Sequence, residues 1–175
     1  MFIVTCGLPQ SGKSTFLEFV ANAVKRHGWL SNRNSNILIV RPSDWYPPDI
    51  ESMPPATRTD YQIGAWEHAL EKVSFSLGSN SVVALDTCGA SPNSLQTPIG
   101  VAQFHKHEIV VIWMATSRQA CEARMSPEIV AKYVDKIPMA VREYKTRGYK
   151  IFIVKDGTFN DWLKRADEIA QIIVA

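Results

Sequence analysis

The chain is poor in cysteine: Cys6, Cys88 and Cys121 are its three in 175 residues, and no two stand in a C-x-x-C pair. A disulfide framework and a cysteine-built metal site are thereby excluded. Reduced thiols that pack in a strand, a post-strand turn and a helix are expected instead. The four histidines, His27, His68, His105 and His107, have no metal-ligand spacing with these cysteines, so no structural metal held by protein ligands alone is expected. Long hydrophobic runs are also missing, none approaching the ~18 residues of a membrane span. The opening Met-Phe-Ile-Val-Thr-Cys has neither a basic lead nor the length of a signal-peptide core. A soluble, cytoplasmic protein with no membrane partner is the expectation. Charge of one sign is lacking too: 19 Lys and Arg face 17 Asp and Glu, for a net +2 with no basic block. Composition therefore speaks neither for nor against a nucleic-acid partner. No repeat, low-complexity tract or linker divides the sequence, and 46 % hydrophobic residues suffice for a full core, so one domain over residues 1–175 is expected.

What is present is a complete G-x-x-x-x-G-K-[ST] motif, Gly7-Leu8-Pro9-Gln10-Ser11-Gly12-Lys13-Ser14, followed by Thr15. It comes directly after the apolar run Phe2-Ile3-Val4 and directly before a helix-periodic segment, the context in which such a loop binds phosphates. A triphosphate concentrates negative charge, and backbone N–H groups closed by a helix N-terminus hold it. Gly7 and Gly12 let the backbone curl. Lys13 supplies a mobile charge for the β- and γ-phosphates, and the Ser14 hydroxyl is the expected ligand of Mg²⁺. Nucleotide binding by residues 7–15 is the first expectation.

Four further apolar runs follow: 37–40, 82–85, 109–113 and 151–154. Each reads as a buried parallel strand because both faces are apolar. Helical stripes lie between them, one through Phe16, Leu17, Val20 and Val24 and another through Tyr61, Trp66, Ala69, Leu70, Val73 and Leu77. The alternation is that of an α/β fold with a parallel sheet. Thr59-Asp60 is read as a cap for the second helix, and Thr158 with Asp161 as a capping box for a last helix through Trp162, Ala166 and Ile169. Residues 41–55, with five prolines, read as a rigid irregular loop.

In such sheets ligands sit at the carboxyl ends of strands, so residues just after strands are the functional candidates. Asp44 follows the second strand and is the candidate general base, although an Asp there also suits a turn before prolines. Beside it, Trp45 and Tyr46 offer either a stacking platform or simple packing. The third strand closes on Asp86-Thr87, where a carboxylate can organise Mg²⁺ opposite Ser14 or satisfy the turn at Cys88-Gly89. After the fourth strand, residues 117–136 read as a mobile lid. Its first helix is expected to carry Arg118 and Arg124, to break at Ser126-Pro127 and to resume from Glu128 to Lys136. Lid arginines can stabilise charge on a transferring phosphoryl group, although two arginines on a helix are also an ordinary solvated face.

Together, Gly-Leu-Pro-Gln-Ser-Gly-Lys-Ser-Thr, Asp44, Asp86-Thr87 and Cys-Glu-Ala-Arg124 resemble the polynucleotide-kinase-like group of P-loop kinases from Met1 to about Val154. Seryl-tRNA kinases and zeta-toxin-like kinases look similar at the loop. The resemblance implies a three-layer P-loop NTPase sandwich whose five-stranded parallel sheet runs 2-3-1-4-5. It also implies ATP with Mg²⁺ as cofactors, Asp44 activating an acceptor hydroxyl, Asp86-Thr87 near acceptor and metal, and Arg124 on the γ-phosphate. Trp45, Tyr46, Thr87 and Arg118 are the candidate acceptor contacts.

The chain departs from that group at several points. Pro47 and Pro48 follow Trp45-Tyr46, where an arginine usually grips the acceptor's phosphate. Gln10 replaces a common glycine, and Pro92-Asn93-Ser94 stands where another arginine is usual. A different or smaller acceptor is implied. Related bacteriophage kinases act on modified bases such as 5-hydroxymethyluracil in DNA, and a kinase without end-binding arginines suits a hydroxymethyl acceptor.

Three functions stay open on the sequence. The first is an ATP-dependent kinase for a hydroxyl of a nucleic acid or nucleotide. The second is a small-metabolite kinase with a pocket from Trp45, Tyr46 and the helix around Tyr61 and Trp66. The third is a nucleotide-dependent switch without phosphotransfer. No N-K-x-D guanine motif is present, which leans the nucleotide towards ATP.

Overall fold

The computed structural model describes residues 1–30, 36–79 and 82–174. Its strands β1 (Phe2–Gly7), β2 (Ile37–Val40), β3 (Val82–Leu85), β4 (Ile109–Ala115) and β5 (Lys150–Lys155) form one sheet in the order β2-β3-β1-β4-β5. Every pairing is parallel, with Phe2 opposite Val83 on one side and Ile109 on the other. The expected strand order is therefore observed.

Among the described residues, seven helices cover the sheet: α1 (Lys13–Leu30), α2 (Pro55–Gly78), α3 (Gln96–Phe104), α4 (Arg118–Glu122), α5 (Pro127–Val134), α6 (Lys136–Thr146) and α7 (Phe159–Val174). Strand side chains alternate between faces. Ile3, Ala84, Val110 and Ile112 pack with Phe16, Leu17, Val20 and Ile169 under α1 and α7. Phe2, Val4, Cys6, Val83 and Val111 pack with Val73, Leu77, Ala102 and Tyr144 under α2, α3 and α6. The central strand β1 is covered on both sides, and so the phosphate loop that leaves it is anchored in the middle of the molecule. Apolar coverage of both faces fails for β5, where Phe152 and Val154 are buried but Lys150, Ile153 and Lys155 are exposed. That strand lies at the sheet edge, where the helix layers end.

Local chemistry sets several boundaries. The capping box at α7 forms as expected: Asp161 accepts the Thr158 N–H at 2.9 Å and its hydroxyl at 2.8 Å, and the Asp161 N–H donates to Thr158 Oγ1 at 3.2 Å. Those bonds hold the Asp161 carboxyl below its ordinary range. The expected cap at Thr59-Asp60 is corrected. Helix α2 already begins at Pro55, whose fixed φ suits a first helical position, and the Thr59 hydroxyl donates back to the Pro55 carbonyl at 2.9 Å. Residues 41–55 hold two 3₁₀ turns, Pro42–Trp45 and Ile50–Ser52. His107, in the polar connection before β4, lies 3.0 Å from the Met1 amine and 2.8 Å from the Leu77 carbonyl, tying the start of β1 to the end of α2. The three thiols are free, with Cys6 and Cys121 buried, and burial pushes the Cys6 thiol up to about 12. Among the described residues, no helix is long and apolar enough to cross a membrane.

Candidate functional site

Strand β1 ends at Gly7 and α1 begins at Lys13, so the intervening residues make the turn between sheet and helix. Two of them need a left-handed backbone, Gly12 at φ +86° and Gln10 at +60°. Gly12 takes this freely, and a Cβ there would lie 2.5 Å from the Trp162 ring. Gln10, in the place of a common glycine, adopts the conformation at a cost of about 1–2 kcal/mol. The loop is braced from the β4 side. The Thr116 hydroxyl donates to the Ser11 carbonyl at 3.0 Å, and Arg124 Nη1 donates to the Gln10 carbonyl at 3.2 Å. The first intrahelical bond of α1 is Phe16 N–H to Gly12 O. The N–H groups of Lys13, Ser14 and Thr15 therefore lack helical acceptors and suit an anion.

Lys13 folds back over its own loop, its Nζ donating to the carbonyls of Leu8 at 2.7 Å and Gly7 at 3.2 Å. Burial lowers its ammonium from the usual lysine value, partly offset by Cys88 and Asp86. A partly desolvated cation satisfied by neutral carbonyls and the Ser11 hydroxyl gains a stronger bond on transfer to charged phosphate oxygens.

At the end of β3, Asp86 is 8 % exposed. Its Oδ1 lies 3.3 Å from the Thr5 hydroxyl, and its Oδ2 accepts from Arg41 Nε at 3.2 Å. Arg41 also pairs with Glu18 of α1. Burial opposes the Arg41 charge, but hydrogen bonds to Glu18 and Asp86 outweigh it and hold the guanidinium above its ordinary value. Ser14 and Glu18 are four residues apart on α1 and so share a face. Arg41 thus joins the Ser14 side of the helix to Asp86. Sequence reasoning passed over this arginine, because its role depends on β2 and β3 ending side by side. Thr87 is clamped through its backbone: its N–H donates to Thr5 Oγ1 at 2.9 Å, and its carbonyl accepts from the same hydroxyl at 2.7 Å.

The segment after β4 differs in detail from expectation. Helix α4 ends at Glu122, so Arg124 lies in the following turn, and Asp135 separates α5 from α6. The placement suits Arg124, which a turn can direct at the loop. Arg118 is held within its own helix by Glu122 at 2.6 Å, away from the Arg124 bond to Gln10.

A cavity of about 610 Å³ adjoins the phosphate loop and is lined by Gly12, Thr15, Phe19, Arg124, Asp156 and Trp162 among others. Its walls are ordered by edge-to-face pairs, Phe16 with Trp162 and Phe19 with Phe159, and Trp162 Nε1 donates to the Lys155 carbonyl at 3.1 Å. Asp156 accepts the Ser117 N–H at 2.9 Å, linking the β5 end to α4. Phe19, Asp156 and Trp162 were not singled out as functional from the sequence. The rule that follows the carboxyl ends of strands, extended to β5, points to Asp156-Gly157 and would have found this wall.

Asp44 sits exposed in the Pro42–Trp45 turn, its N–H bonded to the Arg41 carbonyl at 3.0 Å. Trp45 and Tyr46 do not form one platform. Trp45 faces His68 of α2, with ring centroids 6.5 Å apart and planes within 26°, and lines a second cavity of about 510 Å³ with Tyr61. Tyr46 has its hydroxyl pushed up by burial and lies within electrostatic reach of Tyr133 in α5. The 3₁₀ turn ends between them and sends the two rings in different directions.

No family model matches the chain, and no curated protein matches it in sequence. Solved structures do match in fold. A gluconokinase from Sinorhizobium meliloti is 13 % identical with a TM-score of 0.53, the match covering 98 % of this chain and 94 % of that one. The APS kinase of Mycobacterium tuberculosis, solved with AMPPNP and APS, is 13 % identical with a TM-score of 0.55 over 99 % and 94 % of the two chains. A thymidylate kinase from Ehrlichia chaffeensis is 12 % identical with a TM-score of 0.56 over 99 % and 98 %. The chain has the α/β fold of P-loop NTPases, with helices on both faces of a five-stranded parallel sheet.

Proposed function

We propose that the protein is an ATP-dependent phosphotransferase acting on a hydroxyl of a nucleic acid or nucleotide, in the manner of the polynucleotide-kinase-like group. The acceptor is either a 5′-hydroxyl end or the hydroxymethyl group of a modified base such as 5-hydroxymethyluracil. One observation carries the reading: the 610 Å³ cavity shares Gly12, Thr15 and Arg124 with the phosphate loop and its brace. A base seated against Trp162 and Phe19 therefore has its phosphates on the N–H groups of residues 12–15. Lys13 then leaves the Gly7 and Leu8 carbonyls for the β- and γ-phosphates, and Arg124 leaves Gln10 to meet charge on the γ-phosphate as residues 117–136 close. Asp44 takes the proton of the acceptor hydroxyl.

The donor set fits Mg²⁺, which binds through one or two carboxylates, phosphate oxygens and water. Ser14 and Asp86 supply a hydroxyl and a carboxylate, and among the described residues no group of three His, Cys, Asp or Glu could hold a metal alone. Mg²⁺ there would neutralise phosphate charge, and Arg41 would hold the Asp86 carboxylate in place. The proposal places the reaction in the cytoplasm.

The test is transfer of labelled γ-phosphate from ATP with Mg²⁺ to 5′-hydroxyl DNA and RNA, hydroxymethyluracil DNA, nucleosides and free metabolites. Label on a polymer or nucleoside is expected. Label confined to a non-nucleotide metabolite would favour a small-metabolite kinase, a reading supported by the gluconokinase and APS kinase among the neighbours in fold. Label found only as free phosphate would refute transfer and favour a nucleotide switch. A separate expectation concerns the base wall: Trp162→Ala should weaken ATP binding about tenfold, given that one aromatic stack is worth roughly 1–3 kcal/mol. Calorimetric titration measures it, and an unchanged affinity would remove Trp162 from the base site.

A further inference from the structure

The second cavity, of about 510 Å³, lies between the Pro42–Trp45 turn and α2 and shares none of its lining with the nucleotide cavity. Trp45, Tyr61 and His68 line it together with the small residues Gly64 and Ala65 and the polar Thr57 and Asp60. Two large aromatics at this opening stay wet, Trp45 at 38 % and Tyr61 at 47 % exposure. An added Cβ on Gly64 would meet nothing within 4 Å, so the space above the helix is open. We infer that this cavity is the acceptor subsite and that it takes a neutral, planar, nucleobase-type ring, one base at a time. The inference deepens the phosphotransferase reading and rests on it for the role of Asp44.

Lining chemistry selects this class. Phosphate, sulfate or carboxylate groups need cations, yet none of the cavity's lining residues is Lys or Arg and one is an acid. A polyol needs a dense set of polar partners, whereas Trp45, Tyr61, Gly64 and Ala65 leave Thr57, Asp60 and His68 as the few polar side chains of the lining apart from the two aromatic tips. A flat heterocycle instead uses the aromatic faces of Trp45 and Tyr61 for stacking and Asp60 and His68 for its polar edge. Trp45 directly follows Asp44, so their Cα atoms are about 3.8 Å apart. Asp44 is not itself part of the lining, so the ring's hydroxyl substituent must project from the cavity mouth along the Pro42–Trp45 turn towards the proposed base. A base inside a duplex cannot enter such a pocket, so the acceptor must be a free nucleoside, an unpaired base or one turned out of the helix.

Gly64→Leu tests the inference, because it fills the cavity at a helical position where leucine is the better helix former. The probe is thymidine, measured by saturation-transfer NMR on protein saturated with a non-hydrolysable ATP analogue and Mg²⁺, which occupies the nucleotide site. Thymidine is expected to bind the wild type and to weaken about tenfold or more in Gly64→Leu and Trp45→Ala. Trp45→Phe should restore most of the affinity. In all three variants, analogue affinity should be unchanged, and the melting temperature of Gly64→Leu should be unchanged or raised. No thymidine binding by the wild type, equal binding by Gly64→Leu, or displacement of thymidine by gluconate would overturn the inference. Thymidine binding that Gly64→Leu abolishes, in a protein that transfers phosphate to nothing, would leave the ring site standing and refute the transferase reading alone.

Discussion

Asp44→Asn is expected to slow γ-phosphate transfer by about 10²–10⁴-fold while ATP affinity stays within about twofold. The amide keeps the size of the carboxylate but cannot take the acceptor's proton, so the loss falls on the chemical step, about 2.7–5.4 kcal/mol of barrier. Asp44 lies after β2, whereas the groups proposed to face ATP lie after β1, β4 and β5. Its neutralisation is therefore expected to leave the proposed nucleotide site intact. Lys13→Ala makes the contrast. That side chain bridges Gly7 and Leu8 in the free protein and is the proposed cation on the β- and γ-phosphates. Its loss should weaken ATP binding and also cost about 10²–10³-fold in transfer. Single-turnover transfer together with an ATP titration separates the two effects. Unchanged turnover in Asp44→Asn would remove Asp44 from the mechanism, and ATP binding retained in Lys13→Ala would remove the lysine from the phosphates.

Residues 7–15 were legible because one local motif carries both conformation and chemistry. The strand order followed from the resemblance that this motif and the strand-end residues carry. Asp86 was legible as the polar end of an apolar run, and in the structure it is a buried carboxylate against Thr5 and Arg41. Arg41 was not, since nothing in its local sequence tells of Glu18 on another element. The wall of the 610 Å³ cavity beside the phosphate loop was hidden for a related reason. Trp162 read as a member of a helical stripe and Phe19 fell outside the stripe read for α1, and only the packing of α7 on α1 turns them towards the loop. The divergence of Trp45 and Tyr46 was not legible, because the separation of adjacent rings depends on where a 3₁₀ turn ends, which the five prolines of that stretch do not reveal.

Gly89→Ala is expected to destabilise the fold by about 3 kcal/mol or more, lowering the melting temperature by roughly 6–12 °C for a chain of this size. Gly89 sits at φ +61°, and a Cβ there would lie 2.4 Å from the Thr5 carbonyl and 3.0 Å from the Cys6 Cα. These atoms belong to β1, which is paired to β3 and β4 on its two sides and has no room to recede. The turn cannot readily move either. Gly7 N–H bonds to the Cys88 carbonyl at 3.0 Å, and the buried Tyr144 hydroxyl donates to the Gly89 carbonyl at 3.1 Å. Gly148→Ala separates the two contributions, because Gly148 has φ +78° and no neighbour within 4 Å of an added Cβ. It carries the conformational cost alone, about 1–2 kcal/mol, or roughly 2–8 °C. Thermal unfolding of both variants by circular dichroism is the measurement. Equal shifts would mean that β1 yields to the new methyl. A larger shift at Gly89, accompanied by weaker ATP binding, would show that the Cys88-Gly89 turn holds the start of the phosphate loop through Gly7.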